Sequence, residues 1–506
     1  MTAPQPDPPT PFPAAQASAL REQLLEADYT VDRVAERIGA PSHAALGRNQ
    51  TVPAEQALGE ARDPLATLIR LWPLQRSVPV AAVTAALGDH VAPLVAAGVL
   101  AVAGDRVQAL QDVRPYAWTD DAAHNGYVVA DLTPGLDGRI DRMGGDYVLG
   151  VSSASTSLTQ LAVRRPVGAA LDLGTGCGVQ AIHLAAHADR VVATDVNRRA
   201  LAATALTCAL NDVSVELREG SLYEPVADER FDLIISNPPY VMAPPDRAAL
   251  TYREGGFRGD GLVREVVQGA VTRLAPDGLL QVLGNWAHPA DGDWAERLAG
   301  WVAGTGCDLH VVEREVLDPT EYVELWLADA GLIDSDEYRH RYVEWLDYLA
   351  AEGIAAIGMG WIMVRRSEVD TPDVTVESWP YTVEQPIGPA LAARADAVAK
   401  LRDVRDVDLL DRRFALADDV VQETTGRPGI ADPEHIVLRG QRGFRRATEV
   451  DTMLGAVVGA CDGELELGRI IGAAAGLLDT DATAAAAAVL PRIRELVLDG
   501  LLLTAD

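Results

Sequence analysis

Leu171-Asp172-Leu173-Gly174-Thr175-Gly176-Cys177-Gly178 joins a predicted strand, Ala169 to Leu173, to a predicted helix, Val179 to Ala186. Glycines in such a turn let the chain reverse tightly and bring backbone close to a ligand, at the carboxyl end of the first strand, where open α/β sheets bind nucleotides. Taken alone, the turn also suits a dinucleotide fold. It reads G-x-G-x-G rather than G-x-G-x-x-G, however, with an acid two residues before the first glycine. Asp195 follows 21 positions after Gly174 and closes a second strand, Val191 to Thr194. An acid there can accept hydrogen bonds from both hydroxyls of a ribose. Together these residues favour S-adenosylmethionine as cofactor. Asp172 is expected to orient the turn and the amino end of the methionine moiety, or else simply to cap the loop.

Outward from this turn, short β-branched runs alternate with helical patterns, as in a parallel sheet with crossover helices. The strands are expected at Ala169–Leu173, Arg190–Thr194, Ser214–Arg218, Phe231–Ser236, Gly278–Leu283, Asp308–Glu315 and Ala355–Arg365. Seven strands suit a seven-stranded, doubly wound, Rossmann-like sheet. An amphipathic helix, 334–352, falls between the last two, and 127–132 with 146–149 read as a strand pair leading in. Four regions follow: a disordered Pro- and Ala-rich tail (1–18), a helical, winged-helix-like domain ending in a hairpin (19–112), the α/β domain (113–370), and a helical, winged-helix-like domain (371–506) opening on a Pro-containing linker. Winged-helix modules bind nucleic acid, dimerise or dock proteins. Few basic residues lie near the helix preceding the second wing.

The run Phe231–Ser236 leads directly into Asn237-Pro238-Pro239-Tyr240. An amide or exocyclic amine nitrogen is a poor nucleophile because its lone pair is delocalised. An enzyme that methylates one must hold its N–H groups with acceptors that favour a more localised lone pair. The Asn237 side-chain oxygen and the Pro238 carbonyl can be those acceptors. Two prolines restrict the backbone that aims them, and Tyr240 can stack on a flat substrate group. No charged base is needed.

The 506 residues, 48% hydrophobic and 23% charged, can fill more than one core. Residues 1–18 carry no Lys or Arg and no apolar h-region, so they read as neither a signal nor a transit peptide. No stretch approaches a membrane span, and a cytoplasmic location is expected. Cys177, Cys208, Cys307 and Cys461 lie far apart, against a disulfide framework or zinc site. A net charge of −31 argues against tight nonspecific nucleic-acid binding and slightly favours a protein substrate, although acidity also serves solubility alone.

Residues 146–285 resemble class I S-adenosylmethionine-dependent methyltransferases, and among them the HemK-type glutamine methyltransferases and the small-domain enzymes that modify ribosomal RNA. The resemblance rests on 172–178, Thr194-Asp195-Val196-Asn197, 219–225, 231–241 and 255–262 in that order. It implies that Asp172, Gly174, Thr175, Gly176 and Gly178 surround the methionine and ribose, that Asp195 holds the ribose, and that Val196, Ser221 and Leu222 lie near the adenine. Asn237, Pro238, Pro239 and Tyr240 would form the acceptor site, with Asn237 also beside the cofactor. The family commonly has an acid where this chain has Ser221, which leaves adenine recognition to backbone groups. The loop 150–157 lacks the Pro-rich, acid-containing form of release-factor enzymes, although Thr156 can approach the cofactor.

Three readings of the function follow. The first is methylation of a protein side-chain amide, glutamine above all. The second is methylation of an exocyclic amine of adenine or guanine in RNA or DNA. The third is a cofactor-binding scaffold that docks the flanking domains. His183 and His187 stand at helical spacing without a third ligand, so no metal is expected. Cys177 reads as packing in the turn. Asn285-Trp286 reads equally as cleft lining or a buried anchor, and Asp318 to Tyr322 as a well-capped helix start.

Overall fold

Eight strands, one more than the sequence predicts, form the large sheet. They are β1 (Val167–Leu173), β2 (Ala188–Asp195), β3 (Glu216–Glu219), β4 (Phe231–Ser236), β5 (Leu274–Pro289), β6 (Cys307–Leu317), β7 (Ile354–Arg366) and β8 (Val374–Ser378). Their order is β3-β2-β1-β4-β5-β7-β6-β8. Only β7 runs against its neighbours, antiparallel to both β5 and β6. The added strand lies in the stretch read as a linker and pairs in parallel with β6. It is a half-exposed edge strand, and so lacks the continuous apolar run that marks β4 as buried on both faces.

The computed structural model describes residues 12–119, 123–139, 143–244, 256–333, 335–428 and 434–505. They divide into two units, Met1–Thr159 with Pro166–Ser378, and Gln160–Arg165 with Trp379–Asp506. In the first unit, helices from Ala14–Glu26 to Val91–Ala96 lead to a hairpin, Leu100–Ala103 with Arg106–Ala109, whose second strand also pairs with Val78–Pro79. The first helix begins at Ala14, inside the segment read as a disordered tail; residues 1–11 lie outside the described residues. The helical region shares one apolar core with the sheet layer. Leu20, Leu24, Tyr29 and Trp72, all fully buried, cluster with Leu206 and Leu210. Those two leucines belong to the helix Arg198–Leu210 that follows β2.

Residues 123–131 pair with Gln111–Thr119 and not with 146–149, which form a turn and coil. The Asn211 side chain closes against this hairpin: its Oδ1 accepts the Tyr127 N–H at 3.1 Å and its Nδ2 donates to the Tyr127 carbonyl at 2.7 Å. Gly126 is required there, because a Cβ would lie 1.8 Å from Asn211 Oδ1.

The second unit has its own core of Phe414, Leu454, Val457, Ile471, Ile493 and Leu502. A three-stranded sheet orders Asp462–Glu466, Arg413–Leu416 and Leu502–Thr504, and a meander runs through Val420–Thr425, His435–Gly440 and Ala447–Val450. The helices Leu467–Leu477 and Ala482–Leu498 precede the turn at Asp499-Gly500 and the last strand. Among the described residues no helix is long and apolar enough to cross a membrane.

Candidate active site

Register sets the site. Leu173 of β1 pairs with Thr194 of β2 on one side and Ser236 of β4 on the other, and Asp195 pairs with Glu219 of β3. The strands therefore end together, and the residues that follow, Gly174, Asn237 and Gly220, emerge along one edge, where the order reverses about β1. The Ser236 hydroxyl locks this edge by donating to the Leu173 carbonyl at 2.7 Å.

A cavity of about 390 Å³ opens there. Of the residues singled out in the sequence, it is lined by Asp172, Gly174, Thr175, Gly176, Asp195, Val196, Ser221, Leu222, Asn237, Pro238 and Pro239. Gly174 and Gly176 have φ of +78° and +58°, and a Cβ on either would meet nothing within 4 Å. They present bare backbone to the open space. Asp195 is anchored through both oxygens, accepting the Gly176 N–H at 3.0 Å and the Asn197 N–H at 2.8 Å. Its remaining lone pairs are available to a ligand. Burial raises its carboxyl above the ordinary range, against those backbone bonds.

Asp172 lies beneath the turn, 1% exposed, and accepts the Thr175 hydroxyl at 2.6 Å. Burial, reinforced by the charge of Asp195, pushes its carboxyl up to about 7. Burial likewise pushes the Cys177 thiol up to about 11, which leaves it an inert packing group at neutral pH.

Asn237 is half-buried on the cavity wall. Its Oδ1 is shielded from solvent and has no hydrogen-bond partner among the described residues. A buried acceptor without a partner is costly, of the order of 1–3 kcal/mol, and Asn237 Oδ1 is therefore available to a hydrogen-bond donor from the cavity.

Several of the singled-out residues, among them Gly178 and Tyr240, do not line this cavity. Gly178 instead permits helix packing. It caps the helix Val179–Leu184 with φ +81°, and a Cβ on it would lie 2.9 Å from Thr204 Cγ2. Tyr240 packs into a second apolar cluster, its ring 6.3 Å from Trp326 at 65°. Burial pushes its phenol up to about 12. Thr156 is exposed and turns back to the Ser152 carbonyl, while Ser155 is the residue of that segment that lines the cavity.

Tyr147, Leu149, Gly150, Asn197, Gly220 and Phe257 also line the site and were not singled out as ligand contacts in the sequence. At Gly220 a Cβ would fall 2.4 Å from Pro225 Cγ, and that close approach shapes the turn leading to Ser221. Val196 and Phe257 leave 51% and 43% of their surface exposed although both line the cavity, forming an apolar rim.

Asn285 and Trp286 lie outside the cavity wall. Trp286 is fully buried and donates to Glu313 at 3.1 Å, while Asn285 donates to the Tyr322 hydroxyl at 3.2 Å. His183 is paired at 2.8 Å with the Tyr116 hydroxyl. Among the described residues no three His, Cys, Asp or Glu side chains come together as a metal site.

Known proteins resemble this architecture in parts. Residues 26–110 and 393–504 each match a family described only as a domain of unknown function. A ribosomal protein uL3 glutamine methyltransferase of Bradyrhizobium diazoefficiens is 39% identical over 32% of this chain and 51% of its own length. A release factor glutamine methyltransferase of Geobacter sulfurreducens is 38% identical over 25% of this chain and 49% of its own. A ribosomal RNA small subunit methyltransferase C of Erwinia tasmaniensis is 31% identical over 23% and 31%. The chain thus spans about half the length of the two glutamine methyltransferases and less than a third of the RNA enzyme. A solved methyltransferase structure from Pyrococcus furiosus is 15% identical, covering 42% of this chain and 83% of its own with a TM-score of 0.27. Residues 150–293, which carry the glycine turn, Asp195 and Asn237, match the methyltransferase small-domain family.

Proposed function

We propose that the chain is a cytoplasmic S-adenosylmethionine-dependent N-methyltransferase acting on a planar nitrogen, and that this nitrogen is the side-chain amide of a protein glutamine. The observation that carries the reading is the unpartnered, buried Oδ1 of Asn237 on the wall of the glycine-lined cavity.

The residues fit the cofactor. Gly174 and Gly176 offer backbone without side chains, Asp195 offers free lone pairs for ribose hydroxyls, and Asp172 offers a carboxylate for the methionine ammonium. Val196, Leu222 and Phe257 supply apolar surface for a flat base, with Ser221 beside them. When bound, S-adenosylmethionine supplies a methyl group on a positively charged sulfur.

The chain's own residues orient the acceptor. Asn237 Oδ1 and the Pro238 carbonyl accept the two N–H groups of the target amide, which aims the nitrogen lone pair out of the amide plane. The methyl group would come from bound S-adenosylmethionine, and the proton lost from nitrogen would pass to water. Pro238 and Pro239 restrict the backbone that holds both acceptors. The Tyr240 phenol is neutral at physiological pH and takes no proton.

The two relatives named as glutamine methyltransferases support an amide acceptor, and the relative named as a ribosomal RNA methyltransferase supports the second reading, an exocyclic amine of a base in RNA. One experiment separates them: transfer of labelled methyl from S-adenosylmethionine into a lysate of the source cells, followed by protease or nuclease. Label released by protease and mapped to glutamine supports the proposal. Label released by nuclease replaces it with the base-amine reading.

A further inference from the structure

The second unit contains a cavity of about 600 Å³, formed wholly by its own residues. That volume lies within the range of small-ligand sites. One wall is the helix Gly388–Leu401, which presents Ala390, Ala393 and Ala397 as a smooth apolar surface, continued by Phe444, Leu501 and Leu503. The facing wall is the turn Arg442-Gly443-Phe444-Arg445-Arg446 between two strands of the meander. The turn is pressed against the helix: Gly443 has φ +59°, and a Cβ on it would lie 2.7 Å from the Ala390 Cβ. Its backbone is pinned, with the Gly443 N–H donating to Glu384 Oε2 at 2.9 Å and the Gly443 carbonyl accepting the Glu384 N–H at 2.8 Å.

The charges in this cavity are unevenly satisfied. All four carboxylates are engaged. Glu384 holds Gly443, Asp419 accepts the N–H groups of Gln441 and Arg442 at 2.9 and 2.8 Å, Asp396 pairs with Arg165 at 3.3 Å, and Asp499 pairs with Arg446 at 3.1 Å. Arg446 is further held over the rings of Trp379 and Phe444. Lys400 and Arg445 also line the cavity, and among the described residues neither side chain takes part in a hydrogen bond or ion pair. Arg445 is placed there at φ +54°, a left-handed conformation unfavourable for a residue with a side chain. Lys400 is the single lysine of a chain whose net charge is −31. Two cations, both exposed, therefore border an apolar wall in a protein whose net charge is −31.

We propose that this cavity binds a small amphiphilic anion, a carboxylate or phosphate joined to an apolar body, with the oxyanion between Lys400 and Arg445 and the body along the alanine face of Gly388–Leu401. The concave shape suits a small molecule, whereas a nucleic-acid groove would need a longer basic track. The site is independent of the methyl-transfer reading.

The single lysine makes the test direct. The intact protein is acetylated with an amine-reactive reagent, and the rate at Lys400 is followed by mass spectrometry in the presence of octanoate, octyl phosphate, octanol, inorganic phosphate or a twelve-nucleotide RNA. The expected result is that at least one octyl anion slows acetylation about tenfold at concentrations where octanol and inorganic phosphate do not. The stronger of the two anions identifies the head group. Arg445→Ala should abolish that protection while leaving S-adenosylmethionine binding by calorimetry unchanged, which also reports an intact fold. Protection by octanol equal to that by the anions, protection by RNA alone, no protection by any probe, or full protection retained in Arg445→Ala would each overturn the proposal.

Discussion

The Tyr322 hydroxyl accepts the backbone N–H of Met242 at 2.9 Å, tying the segment just beyond Asn237–Tyr240 to the helix Pro319–Asp329. Asn285 donates to the same oxygen, and all three groups are buried. The strand β5 and this helix thus brace the acceptor loop from behind. Tyr322→Phe keeps the ring but leaves the Met242 N–H without its acceptor, a loss of about 1–3 kcal/mol in a buried setting. The expected outcome is a kcat lowered about tenfold with cofactor affinity nearly unchanged, because the cofactor wall does not depend on that bond. Steady-state kinetics alongside calorimetry checks it. Equal damage to cofactor binding would show that Tyr322 supports the whole site.

Asn237 tests the acceptor role itself. Asn237→Ala removes the orphaned oxygen, so the folded protein loses no internal partner and its Tm should not fall. Methyl transfer should drop about 10²- to 10³-fold, the size of effect seen when one aimed polar group is removed from a reacting centre. Cofactor binding should persist. Near-normal turnover would assign substrate orientation to Pro238 alone.

Asp172 makes the site pH-sensitive near neutrality. Its carboxyl is pushed from 3.8 up to about 7, chiefly by burial, so the neutral form dominates below that pH in the empty protein. A methionine ammonium favours the ionised form. Cofactor affinity is therefore expected to weaken as pH falls through about 7 and to level off above it. Stability of the empty protein has the opposite sign: a raised folded pKa contributes stability that is complete below about 4 and is lost as pH rises toward 7. Asp172→Asn should flatten both curves across pH 5 to 8, as read by calorimetry and thermal unfolding. An unchanged pH profile in the variant would move the titration to another group.

Much of the site was legible because it is built from local signals at strand ends. The apolar runs fixed where β1, β2 and β4 stop, and register then delivered Gly174, Asp195 and Asn237 to one edge. What escaped lies where local chemistry gives a sufficient but incomplete account. Asp318 does cap its helix, as the sequence predicts, and Glu321 completes a capping box, yet Tyr322 one residue on also holds Met242, 80 residues away in sequence. Asp146 to Leu149 read as a strand in the sequence, but they form a turn and coil, and Tyr147, Val148 and Leu149 line the cavity in an irregular wall that no period-2 pattern describes. The edge strand β8 is short and half-exposed, so its register against β6 is a tertiary fact.

Two glycines of one motif separate ligand contact from packing. A side chain at Gly174 enters open cavity, whereas one at Gly178 strikes Thr204, and both positions have positive φ. Gly174→Ala should cost only the conformational penalty, about 1–2 kcal/mol, while weakening cofactor binding at least tenfold by intruding on its space. Gly178→Ala adds overpacking of about 1–3 kcal/mol to the same penalty, so its Tm should fall further. The protein that remains folded should bind cofactor nearly as well as the parent, because Gly178 does not line the cavity. Thermal unfolding and calorimetry on the pair would settle the division of labour. If both variants lost affinity equally, the helix Val179–Leu184 would have to be counted as part of the binding surface, positioned through Gly178.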